Sequence, residues 1–158
     1  MLGLRKNLIK RIEGLDKNTE LEELELYDNR IRHIENISHL QNLVFLDLSF
    51  NRIKEIQGLE TLINLKKLYL SANRLKKIEN VETLVNLTIL DVGDNKIRKI
   101  ENIDTLVNLE EFHAAKNKLV AIEGLEKLVN LQLVAMQANF IQKISGLETL
   151  VDLEELYL

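Results

Sequence analysis

Apolar and polar positions along this chain repeat with a period much longer than a helix turn or a strand pleat. In "LEELELYDNRIRHIENISHLQN" (Leu21 to Asn42) the aliphatic positions are Leu21, Leu24, Leu26, Ile31, Ile34, Ile37 and Leu40. A step of 22 residues lands on Leu43, Leu46, Leu48, Ile53, Ile56, Leu59 and Leu62. An asparagine marks the same point of every unit: Asn7, Asn29, Asn51, Asn73, Asn95, Asn117 and Asn139. Strict alternation occurs only just before it, as in Leu24-Glu25-Leu26, which predicts a short strand. Its outer leucines turn inward and its middle residue turns outward, because strand side chains alternate.

A unit this short cannot cover its own apolar face, so neighbours must stack and bury a continuous ladder of leucines. The frame L-x-x-L-x-L-x-x-N-x-I is the leucine-rich-repeat pattern. It predicts an α/β repeat solenoid, a right-handed coil with a parallel sheet on its concave face. Return segments such as "IENISHL" and "IEGLEKL" are too short for an α-helix with two loops, so 3₁₀ turns or irregular structure are expected on the convex side. At about 4.8 Å per parallel strand, seven coils make a rod roughly 35 Å long. Residues 1–158 read as a single solenoid of about seven coils. "MLGLRKN" opens almost in mid-strand and "LEELYL" stops before its own Asn, with no capping unit visible. A segment of a longer array is therefore the expectation.

Two columns read as structural. Asn29, Asn51, Asn73, Asn95, Asn117 and Asn139 must satisfy backbone groups in the turn after each strand, since a buried unpaired polar group costs about 1–3 kcal/mol. The column Gly14, Asn36, Gly58, Asn80, Asn102, Gly124 and Gly146 holds only the two residue types that best tolerate positive φ.

Composition narrows the chemistry. Hydrophobic residues make up 46% of the chain but aromatics only 4%, with no Pro or Trp. The absence of Cys removes disulfides, thiol nucleophiles and Cys-ligated zinc, and suits a cytoplasmic or nuclear setting. No apolar run approaches the roughly 18 residues of a membrane span. The net charge of -4 argues mildly against nucleic acid.

Because coils stack in register, function is sought down columns. The middle-of-strand column reads Gly3, Glu25, Asp47, Tyr69, Asp91, His113, Ala135 and Tyr157. Beside it lie Glu23, Phe45, Lys67, Ile89, Glu111 and Leu133 on one side, and Tyr27, Ser49 and Ser71 on the other. Aromatic anchors among acids are what protein interfaces use. The expected protein-binding residues are Glu25, Tyr27, Phe45, Asp47, Tyr69, Asp91, His113 and Tyr157. A basic stripe follows each Asn, from Lys10 and Arg11 through Arg30, Arg32, Arg52, Lys54, Arg74, Lys76 and Lys77 to Lys96, Arg98, Lys99, Lys118 and Lys143. The acids Glu13, Glu35, Glu79, Glu101 and Glu123 run alongside it, and no aromatic residue is interleaved to stack bases. The stripe thus reads as a solvated, charge-balanced face, although tracking of phosphates is the competing reading. Catalysis finds little support. His33 and His39 alone make a poor metal site. His113 sits one coil from Asp91 with no nucleophile in reach, so no catalytic residue, metal or cofactor is expected.

The segments "LYDNRIRHIEN", "LDLSFNRIKEI", "IENIDTLVNLE" and "LVNL" make the chain similar to the leucine-rich-repeat regulatory subunit of protein phosphatase-1. The resemblance covers essentially the whole chain. It implies a non-catalytic subunit that docks the Ser/Thr phosphatase catalytic subunit on its concave face through acidic and aromatic residues of the middle-of-strand column. The chain itself is expected to be a monomer. The matching positions are Asp47, Tyr69 and Asp91, whereas His113 stands where that family presents an aromatic. A different adaptor, for a cytoskeletal, ciliary or splicing partner, would use the same face.

Overall fold

The computed structural model describes all of residues 1–158. Eight short strands form one parallel sheet in chain order: β1 Leu2–Gly3, β2 Glu23–Glu25, β3 Phe45–Asp47, β4 Lys67–Tyr69, β5 Ile89–Asp91, β6 Glu111–His113, β7 Leu133–Ala135 and β8 Glu155–Tyr157. The register advances by one repeat per strand: Leu24 lies opposite Leu46, Leu46 opposite Leu68, and Leu68 opposite Leu90. A gapless repeat leaves no other solution, because a one-residue slip would turn every inward leucine to solvent.

Main-chain hydrogen bonds leave each coil in both directions. Leu26 and Asp28 donate forward to the carbonyls of Asp47 and Ser49, at 2.8 and 3.0 Å, and Arg30 donates back to Ile9 at 2.8 Å. On the return path, Leu40 N–H donates to the Ile37 carbonyl and Leu43 N–H to the Leu40 carbonyl, at 2.9 and 3.0 Å. Leu59, Leu62 and Leu65 repeat the arrangement. These isolated three-residue turns never merge into a 3₁₀ helix, and the chain contains no helix of any kind. The return path is thus turns and irregular structure, as its length predicted. At 1.5 Å of rise per residue, a helix between Ile31 and Leu43 would cover too little of the coil's perimeter.

The interior is one apolar cluster of 40 residues running from Ile12 to Leu150. Strands β2 to β7 each contribute a buried inward pair, such as Leu46 with Leu48 and Leu68 with Leu70, whereas Leu2, Leu4 and Leu156 at the ends are only partly buried. Coil six departs from the aliphatic rule. Phe112 is fully buried, and its inward companion is the small Ala114.

Three polar ladders tie the coils together. In the first, the Asn51 side-chain nitrogen lies 3.0 Å from the carbonyls of both Leu26 and Leu48, and its oxygen accepts from Ile31 N–H at 2.9 Å. Asn73, Asn95 and Asn117 repeat this set, as do Asn29 and Asn139 toward the ends. In the second, Asn36, Asn80 and Asn102 reach the carbonyls of Ile12, Ile56 and Ile78 at 2.8, 2.6 and 2.7 Å. Gly124 replaces Asn where the coils close further. A Cβ there would meet the Ile100 carbonyl oxygen at 2.6 Å, and its φ is +74°. The third ladder, Asn42, Asn64, Asn86, Asn108 and Asn130, donates to main-chain carbonyls one coil back, in the turn that leads into each strand.

Candidate functional site

The open face of the sheet collects the residues that the strand alternation turns outward. Phe45 and Tyr69 lie on a diagonal across β3 and β4, with ring centres 5.4 Å apart and planes tilted by 42°. Aspartates flank Tyr69 in register, Asp47 on β3 and Asp91 on β5. Each is held by its own coil: Asp47 accepts from Ser49 N–H at 2.9 Å, and Asp91 from Gly93 N–H at 2.8 Å. Residues two apart on a strand share a face, so the carboxylate satisfies a main-chain donor that the short strand leaves unpaired. The acid is thereby fixed beside the ring. A Cβ at Gly93 would meet the Asp91 carboxylate at 3.2 Å, so glycine leaves that bond undisturbed. The Tyr69 ring is half-buried against its neighbours, and its hydroxyl makes no hydrogen bond within the chain. Its phenol is pushed above the usual tyrosine value, first by burial and then by the charges of Glu111, Asp91 and Asp47. The result is an aromatic ridge set in negative potential.

The remaining expected positions fall differently. Glu25 is buried and its carboxylate is bonded by Arg5, from the preceding coil, in the space that Gly3 leaves above it. It belongs to the structure more than to the open face. Tyr27 leans over the turn after its strand and packs on Phe50, with centroids 5.0 Å apart at 52°. Sequence reasoning missed Phe50. It is half exposed at a φ of 56°, the conformation shared by Lys6, Asp28, Ala72, Asp94, Lys116 and Ala138. The turn before the ladder Asn requires this geometry, and an aromatic there is unusual enough to have been a signal. His113 lies in register with Asp91, but its imidazole bonds Glu111 on its own strand at 3.0 Å. No Asp–His dyad forms. Tyr157 is exposed on β8, and its hydroxyl donates to Glu155 at 2.5 Å, which raises its pKa. His39 bonds the Leu15 carbonyl at 2.9 Å, and no three His, Asp or Glu side chains gather as a metal site.

The face is thus continuous from Tyr27 and Phe50 through Phe45 and Tyr69 to Asp91 and His113, on a scaffold that fixes each side chain at one register position. This is a parallel-strand solenoid presenting a mixed aromatic and acidic sheet. The family model of leucine-rich repeats in two copies matches residues 19–61, 41–82 and 63–105, and the chain belongs to the leucine-rich-repeat family. Proteins built on this repeat generally act as protein-interaction scaffolds. Among solved structures, it resembles an internalin C2 from Listeria monocytogenes, with a TM-score of 0.81 and 28% identity over 99% of this chain and 79% of that one. It also resembles a leucine-rich-repeat protein from Leptospira interrogans, at a TM-score of 0.79 and 26% identity over 88% of this chain and 38% of that one. A comparison with curated protein sequences returned no match.

Proposed function

We propose that the protein is a non-catalytic, monomeric scaffold whose open sheet face docks a protein partner in the cytoplasm or nucleus, and that the partner is a Ser/Thr phosphatase catalytic subunit. The observation that carries the reading is the Phe45–Tyr69 pair with Asp47 and Asp91 on either side. A half-buried ring with a free hydroxyl, held beside two oriented carboxylates, suits a partner that brings an apolar pocket ringed by Lys or Arg. The order acid, aromatic, acid at Asp47, Tyr69 and Asp91 matches the phosphatase-binding pattern and supports that choice over a cytoskeletal, ciliary or splicing adaptor.

Capture of the phosphatase-1 catalytic subunit, compared between the parent chain and a Tyr69→Ala/Asp47→Ala variant, tests the assignment. Losing a desolvated aromatic anchor weakens binding by about 2 kcal/mol or more. Equal capture by both proteins removes the face from the interface. Absence of capture by the parent, with recovery of another protein that the variant no longer holds, reassigns the partner but keeps the face.

A further inference from the structure

The basic stripe is not uniform. On the turns leaving β2, β3 and β4, five side chains line one cleft of about 290 Å³: Arg32, His33, Arg52, Lys54 and Arg74. No apolar residue lines it. None of the five makes a salt bridge, and on the whole stripe only Arg11, with Glu35 at 3.2 Å, and Lys77, with Glu79 at 2.6 Å, are paired. The reason is legible in the repeat. The acidic column Glu13, Glu35, Glu79, Glu101 and Glu123 is interrupted by Gln57, in the coil that supplies Arg52 and Lys54. The one acid among the stripe positions, Glu55, does not line the cleft. Three guanidiniums, an ammonium and an imidazole therefore face a shared space that no acidic side chain lines.

We propose that this cleft binds a phosphate monoester carried by a side chain of a protein partner. Guanidinium forks match the paired oxygens of a phosphate, and three of them converging from successive coils give a cradle that a single exposed arginine does not. Nucleic acid is disfavoured, because no aromatic lines the cleft to stack a base. The cleft is also confined to three coils, which fits one compact anion. A phosphorylated partner suits a family of protein scaffolds, and the site lies outside the docking face, so it stands whether or not that face binds a phosphatase.

The test uses the whole chain and a degenerate peptide pool with one fixed phosphoserine, beside the same pool with serine, read by fluorescence anisotropy. Binding of the phosphorylated pool should be at least tenfold tighter. It should fall at least tenfold in Arg52→Gln/Arg74→Gln, with an unchanged melting temperature. A Lys96→Gln/Lys118→Gln control, on the same stripe beyond the cleft, should bind as the parent does. Equal affinity for the two pools, or equal loss in the control, overturns the proposal. So does competition by inorganic phosphate at the same molar concentration, which would make the ligand a free anion. Single-stranded RNA that displaces the phosphopeptide with length-dependent affinity would give the cleft to nucleic acid instead.

Discussion

The ladder asparagine shows most directly what one side chain does here. Asn73 supplies an acceptor to Ile53 N–H and sets its nitrogen 3.0 Å from the carbonyls of Leu48 and Leu70. Replacement by alanine strands groups that water cannot reach, at about 1–3 kcal/mol for each. Asn73→Ala should therefore lower stability in urea about as much as Leu68→Ala, which costs roughly 2–5 kcal/mol through its cavity. Lys77→Ala on the exposed turn should leave the denaturation midpoint in place. Tyr69 makes a second residue-scale prediction. Its pKa is raised in the folded state, so folding protects the protonated phenol. The corresponding stability is fully present below the unfolded value near 10 and is lost as pH rises through the folded value. An ultraviolet titration should show late-ionising phenols, and Tyr69→Phe should remove one of them, leaving that of Tyr157, and flatten the alkaline loss of stability. An alkaline absorbance curve that Tyr69→Phe leaves unchanged in its late part would contradict the acidic surroundings described for that ring.

At the scale of one coil, the inward pair of each strand shares a fixed volume. Phe112 fits because Ala114 is small, and both are fully buried. Ala114→Leu alone should overpack the sixth coil and cost about 1–3 kcal/mol. Adding Phe112→Leu should restore most of it, since the pair then matches coils three and four. Additive losses in a double-mutant cycle would show that the two side chains do not share the space. Much of a coil was legible from sequence. The leucine positions, the strand at Leu24-Glu25-Leu26 and the positive-φ column of Gly and Asn follow from spacing and residue chemistry. The turns of the return path follow from its length, whereas the ladder at Asn42, Asn64 and Asn86 was harder to see. An exposed asparagine looks the same in sequence whether it is solvated or bonded one coil back. The site was legible to the level of a column only. Alternation turned Tyr69 outward, but it could not say that Arg5 covers Glu25, that His113 prefers Glu111 to Asp91, or that Tyr27 finds Phe50 across the turn. Those choices depend on side-chain reach between coils, which a repeat frame does not encode.

Over the whole molecule, the repeat sorts charge into separate territories. The open sheet sets acids beside aromatic rings, while the cleft on the turns that leave β2, β3 and β4 is lined by Arg, Lys and His alone. The two surfaces should answer salt differently. A partner captured through half-buried rings should lose little affinity between low and moderate ionic strength, whereas a ligand held by Arg32, Arg52 and Arg74 should lose much of it. Titrating NaCl in the capture and anisotropy experiments measures both slopes, and a common slope would mean that one surface serves both ligands.

Each ladder carboxamide is shared, because it grips the coil behind it as well as its own. The array therefore behaves like a zip fastener, in which a missing tooth matters by position. Loss near an end shortens the closed run by one unit. The same loss at Asn73 leaves two shorter runs that part independently, so a single melting step should split into two.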